Sequence, residues 1–116
     1  MANPNGRKGS AFEIAVLKWL RSRGAIAERL RLSGSKDEGD IVAIIAGKTY
    51  VLELKNRKSI SLPTFWDEAV TEAKNYAKAR GLAKTPPAFV IVKRRNTGIE
   101  RAFVIQDLDS WLSERE

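Results

Sequence analysis

Asp40, Glu53 and Lys55 are the residues whose types and spacing could do chemistry in this chain. They lie within residues 39–55, GDIVAIIAGKTYVLELK, where two apolar runs flank Ala46-Gly47-Lys48. A short, Gly-containing break between such runs predicts a β-hairpin. Strand side chains alternate, so Glu53 and Lys55 share one face while Leu52 and Leu54 take the other. Antiparallel pairing then brings Asp40, at the start of the first strand, beside the end of the second. Two carboxylates and an ammonium at one end of an apolar hairpin are costly unless a cation or a reaction uses them. A hard divalent ion such as Mg2+ takes oxygen ligands and keeps several waters. A lysine beside it can orient or deprotonate a water, or stabilise charge on a phosphate. The same residues also suit a plainer arrangement, strand-end charges in water joined by a surface ion pair.

The surroundings add a family pattern. The spacing GD-x12-ELK, preceded by the helix-like stretch GSAFEIAVLKWL with its Glu13, resembles the PD-(D/E)xK nuclease superfamily. Within it the chain is similar to the archaeal-type Holliday junction resolvases and their phage-encoded relatives. These begin with a basic Lys-Gly-x-x-x-Glu helix, here Lys8 to Glu13, and carry Ser/Gly-rich sequence before the aspartate, here Ser33-Gly34-Ser35. Gly39 stands where the pattern has proline, and the likeness runs over roughly residues 7–106.

The resemblance implies a restriction-endonuclease-like fold and a catalytic cluster of Glu13, Asp40, Glu53 and Lys55. Asp40 and Glu53 would be the principal metal ligands, Glu13 a further ligand acting through water, and Lys55 the residue that positions the attacking water. The implied cofactor is Mg2+, with Mn2+ as a substitute. The implied reaction is resolution of four-way DNA junctions, in recombination and repair, by paired phosphodiester hydrolysis. Two symmetric cuts need two active sites, which implies a C2 homodimer. Two other functions fit the residues: a nuclease of the same superfamily acting on duplexes, flaps or ends, and a non-catalytic DNA-binding module. The intact Asp40, Glu53 and Lys55 set argues against the last, because a pure binder gains nothing from carboxylates facing phosphate.

Composition narrows the chemistry independently. The 116 residues include no cysteine and no histidine. Disulfide frameworks, thiolate and imidazole metal sites, and Ser-His-Asp or Cys-His catalysis are therefore excluded. Hydrolysis has to run on carboxylates, lysine and metal. There are 21 Lys+Arg against 14 Asp+Glu, a net charge of +7, which is the electrostatic footprint of a polyanion binder. Residues 1–36 carry eight basic side chains against Glu13 and Glu28. Candidate phosphate contacts are Arg7, Lys8, Arg29, Arg31, Ser33, Ser35, Lys36, Arg57, Lys58, Lys93, Arg94 and Arg95. No stretch has the length or composition of a membrane span or signal peptide, so a cytoplasmic protein is expected, nucleoid-associated or in a host cytoplasm.

The elements that must position these residues follow from periodicity. A flexible basic tail is expected over residues 1–8 and a single nuclease domain over 9–116. From about Ser10, apolar residues at Phe12, Ala15, Val16, Trp19 and Leu20 predict a helix ended by Gly24, with Glu13 beside the apolar stripe. Glu13 there suits either the catalytic cluster or a solvated first-turn glutamate favouring the helix dipole. Residues 25–32 alternate as an edge-like first strand. A helix capped by Thr64 is expected over 65–80, with Pro63 breaking the chain before it and Asp67 and Glu68 in its first turn. Ala88-Phe89-Val90-Ile91-Val92 reads as a buried parallel strand, Arg101 to Ile105 as the last strand, and Asp107 or Asp109 as the cap of a short lid helix holding Trp111 and Leu112. The sum is an α/β fold with a central mixed five-stranded sheet flanked by helices, in the order α-β-β-β-α-β-β-α.

Overall fold

A computed structural model describes residues 4–30 and 39–116, with side chains from Ser10 onward. The order is α1 (Pro4–Ser22), β1 (Ile26–Arg29), β2 (Ile41–Ile45), β3 (Lys48–Lys55), α2 (Leu62–Ala79), β4 (Ala88–Val92), a 3-10 turn (Ile99–Arg101), β5 (Phe103–Ile105) and α3 (Leu108–Ser113). The strands form one sheet in the order β1-β2-β3-β4-β5. Its pairs are antiparallel except β3 with β4, which run parallel because α2 makes the crossover between them. This is the mixed α/β arrangement expected from the sequence.

The hairpin is tighter than its three-residue break suggests. Only Ala46 and Gly47 separate the strands, with φ of 51° and 78°. Two consecutive left-handed residues make the two-residue turn whose twist matches paired strands.

Each face of the sheet has its own core. Val51, Val90 and Val92 pack under Phe65, Ala69, Ala73 and Tyr76 of α2. Ile41, Ala43 and Leu52 pack on Phe12, Val16 and Leu17 of α1. Ile41 and Leu52 are almost fully buried, each contributing about 1.5–3 kcal/mol relative to an exposed side chain. The alanines of α2 let that helix lie close to β3 and β4, which decides what its polar residues can reach.

Several boundaries differ from the sequence reading. Helix α1 begins at Pro4, so residues 4–8 lie in the helix where a tail was expected. Proline is well suited to a first helical turn, where its missing N–H has no partner to lose. Trp19 is 37% exposed and Leu17 takes its expected place in the core, since Phe12, Val16 and Leu17 define the inward face. Helix α2 starts before Pro63, which occupies the first turn instead of breaking the chain, and Ser61 precedes it with its carbonyl accepting from Phe65 N–H at 3.0 Å. Helix α3 is capped by Asp107, whose carboxylate accepts from Ser110 N–H at 2.8 Å and from Trp66 Nε1 at 3.2 Å. These donors hold Asp107 below the usual carboxylate range. Leu108, Trp111 and Leu112 remain exposed, so α3 is not a lid over a core. Among the described residues no helix is long and apolar enough to cross a membrane.

Candidate active site

Asp40 is clamped between two strands. Its N–H donates to Leu52 O at 3.0 Å and its carbonyl accepts from Leu30 N–H at 2.9 Å. The β2–β3 register pairs Ile41 with Leu52, so strand pairing runs out near Asp40. There the Asp40 side chain takes over from the backbone, with Oδ2 accepting Leu54 N–H at 2.8 Å. The carboxylate is thereby held at the edge of the ladder.

Gly39 makes this approach possible. It is buried with φ of +100°, and a Cβ there would stand 2.7 Å from Val51 Cγ1. Both the backbone conformation and the close contact require glycine at this position, where the resembled pattern has proline. Gly39→Ala is expected to destabilise the fold by about 2–3 kcal/mol in urea denaturation, through strain and overpacking together.

Glu53 and Lys55 project from β3 onto the face covered by α2, as alternation required. Glu53 is 5% and Lys55 6% exposed. Glu53 is hydrogen-bonded with Asp40, and Asp40 with Glu13, so neighbouring carboxyls share protons in the absence of a cation. Burial, with Glu53 adding to it, pushes Asp40 up to about 8, against the lowering effect of the bonds from Leu54 N–H and Glu13. Burial likewise pushes Glu53 up to about 8, with the hydrogen bond to Asp40 opposing, Glu72 raising it further and Lys55 opposing least. The two titrate as a linked pair. Glu13 is also raised, first by burial and then by the charge of Asp40, against the lowering effect of Arg29.

Two participants were not singled out from the sequence. Glu72 of α2 is 6% exposed in the middle of the helix's buried face. Carboxylate oxygens of Glu53, Glu68 and Glu72 lie within 4.8 Å of one another. Glu68 takes the ammonium of Lys55, with Nζ 2.5 Å from Oε2. Lys55 therefore points toward α2, 5.2 Å from the Phe65 ring centroid.

Glu53 consequently joins two groups, Glu13 and Asp40 on one side and Glu68 and Glu72 on the other. Five carboxyls meet two paired cations, Lys55 and Arg29, the latter bonding Glu13 at 2.8 Å. In a chain of net charge +7 this concentrated acidity calls for protons or a divalent cation. The donors are all carboxylate oxygens, which suits a hard ion of the Mg2+ or Mn2+ class.

The expected phosphate contacts divide. Arg29 is engaged with Glu13. Arg57, Lys58, Lys93, Arg94 and Arg95 are exposed, at the same end of the sheet as Lys55, where Lys93 N–H donates to Lys55 O at 3.0 Å. Arg31, Ser33, Ser35, Lys36 and the side chains of Arg7 and Lys8 lie outside the described residues.

A solved structure of Archaeoglobus fulgidus Hjc, a Holliday junction resolvase from an archaeal hyperthermophile, is similar in fold, with a TM-score of 0.53 and 24% identity over 90% of this chain and 93% of that one. A family model described as archaeal Holliday junction resolvase (Hjc) matches residues 4–107, a span that includes α1, the hairpin with its carboxylates, α2 and the basic turn after β4. The chain thus belongs to the archaeal Holliday junction resolvase family, a family of metal-dependent endonucleases.

Proposed function

We propose that residues 9–116 act as one nuclease domain that resolves four-way DNA junctions with Mg2+, through Asp40, Glu53, Glu13 and Lys55, in a homodimer. The observation that supports this most is the mutually bonded carboxyl set of half-buried Glu13 and Asp40 with buried Glu53, beside a buried lysine. Asp40 and Glu53 would hold the ion, with Glu13 as a further ligand. When bound, the ion supplies charge to the scissile phosphate and acidity to a water. Lys55, held in place by Glu68, orients the attacking water toward phosphorus and offsets charge on the phosphate. Burial of Lys55 and Glu53 keeps bulk water from screening these interactions.

Paired cuts across a symmetric junction need two such sites related by a twofold axis. The exposed apolar side chains of Leu108, Trp111 and Leu112 offer area for association of this kind. A DNA substrate places the enzyme's work in the cytoplasm or nucleoid.

The test is Mg2+-dependent cutting of a synthetic four-way junction beside a linear duplex of the same sequences. Paired symmetric nicks in the junction alone are expected, and equal cutting of the duplex would remove the junction assignment. Phosphate contacts are tested separately. Lys93→Ala and Arg95→Ala are each expected to weaken junction binding for any arm sequence and to reduce the log–log salt slope by about 1.

A further inference from the structure

Beside the catalytic end of the sheet runs a groove of about 470 Å3 whose apolar part the chemistry described above leaves unused. Its walls carry Arg57, Lys58, Lys93, Arg94 and Arg95. Its floor is apolar, with Ile60 51%, Leu62 46% and Phe103 51% exposed. Phosphates alone would need the cations and gain nothing from this floor. A nucleobase, flat and apolar on its faces, uses both.

Register ties the groove to the cut. Lys55 pairs with Val92, and Val92 with Phe103, so the three form one row across β3, β4 and β5. Cross-strand partners point to the same face, which puts Phe103 two strand spacings, about 10 Å, from Lys55. That is about three steps of stacked DNA. The Arg94 guanidinium lies 5.7 Å from the Phe103 ring centroid, giving a base a second flat, cationic partner.

We propose that this groove receives one unstacked nucleotide of the strand being cut, its base against Phe103 and its flanking phosphates on the surrounding arginines and lysines. The inference rests on branched DNA being the substrate. A branch point suits it, because extruding a base is cheapest where the helical stack is already interrupted. A second copy of this chain is a poorer occupant, since each copy brings the same cations and a net charge of +7.

The experiment uses four-way junctions with 2-aminopurine at single positions around the exchange point, bound by the full chain without divalent ions. Wild type is expected to raise fluorescence strongly at a position near the cut. Phe103→Ala is expected to lose that rise and to bind about ten- to a hundred-fold more weakly. Phe103→Trp is expected to restore binding, which a damaged fold would not do. The proposal is overturned if no position responds to wild type, if Phe103→Ala keeps the signal and binds within about twofold of wild type, or if Phe103→Ala instead dissociates the oligomer in sedimentation. Junction cutting is scored separately. A wild type that unstacks the base without cutting keeps the groove and removes the nuclease assignment.

Discussion

Asp40→Asn and Glu53→Gln are each expected to lower the rate of junction cleavage by about 1,000-fold or more while leaving the fold and junction binding in place. Each removes a charged oxygen donor from a site that neutralises developing charge, and neither changes side-chain volume. Asn at position 40 still offers an oxygen to Leu54 N–H, so the clamp between the strands survives. The same variants are expected to be more stable than wild type in metal-free buffer above pH 8, by about 1–3 kcal/mol in urea denaturation. There the wild-type chain must hold two adjacent carboxylates ionised, Glu53 buried and Asp40 half-buried, and either substitution relieves that repulsion. Opposite signs for activity and stability are the mark of a functional cluster, and equal losses in both would point to a merely structural role.

Metal-free stability should fall as pH rises from about 4.5 to 8 and recover when Mg2+ is added. The folded pKa values of Asp40 and Glu53 are raised to about 8, from ordinary values of 3.8 and 4.5. Between those limits the native state keeps protons that the unfolded chain has lost, so the stability these groups contribute is complete below the ordinary values and lost as pH passes through about 8. Glu13, raised in the same direction, adds to the trend. The total fall is on the order of 2–4 kcal/mol, read as the free energy of unfolding in urea at a series of pH values. Mg2+ at about 100 times its dissociation constant would return about 2.7 kcal/mol by binding only the native state. A flat profile from pH 5 to 9, unaffected by Mg2+, would mean that these carboxyls are not buried together in solution.

Much of this site was legible because β-structure enforces period 2 and a hairpin reverses the chain. Those two facts place Glu53 and Lys55 on one face and Asp40 at their end, and the structure holds Asp40 there with a bond to Leu54 N–H. The mixed sheet was legible from the helical pattern between two apolar runs, which forces β3 and β4 to run parallel.

What was missed lies on α2. With its start placed at Thr64, Glu68 reads as a first-turn residue favouring the dipole. The true start at Leu62 moves it into the second turn, where it meets Lys55. Glu72 follows Phe65 by seven residues and precedes Tyr76 by four, positions that share one helix face. That spacing was the available signal. A glutamate among small alanines nevertheless reads as solvent-facing, because burial of a carboxyl depends on what β3 brings opposite it. Arg29 likewise reads as a phosphate contact until α1 is placed beside β1 and Glu13 takes its guanidinium.

The most direct test of the carboxyl cluster is calorimetric titration of the full chain with Mn2+ at pH 7 in two buffers of different ionisation enthalpy, on wild type and Asp40→Asn. Because Asp40 and Glu53 stay largely protonated up to about pH 8, ion binding has to displace protons. Wild type is expected to bind Mn2+ with release of roughly between one and two protons per ion, and Asp40→Asn to bind far more weakly and to release at least about half a proton fewer per ion bound. Binding with no proton release in wild type, or equal binding by Asp40→Asn, would contradict the assignment of Asp40 and Glu53 as the metal-holding pair.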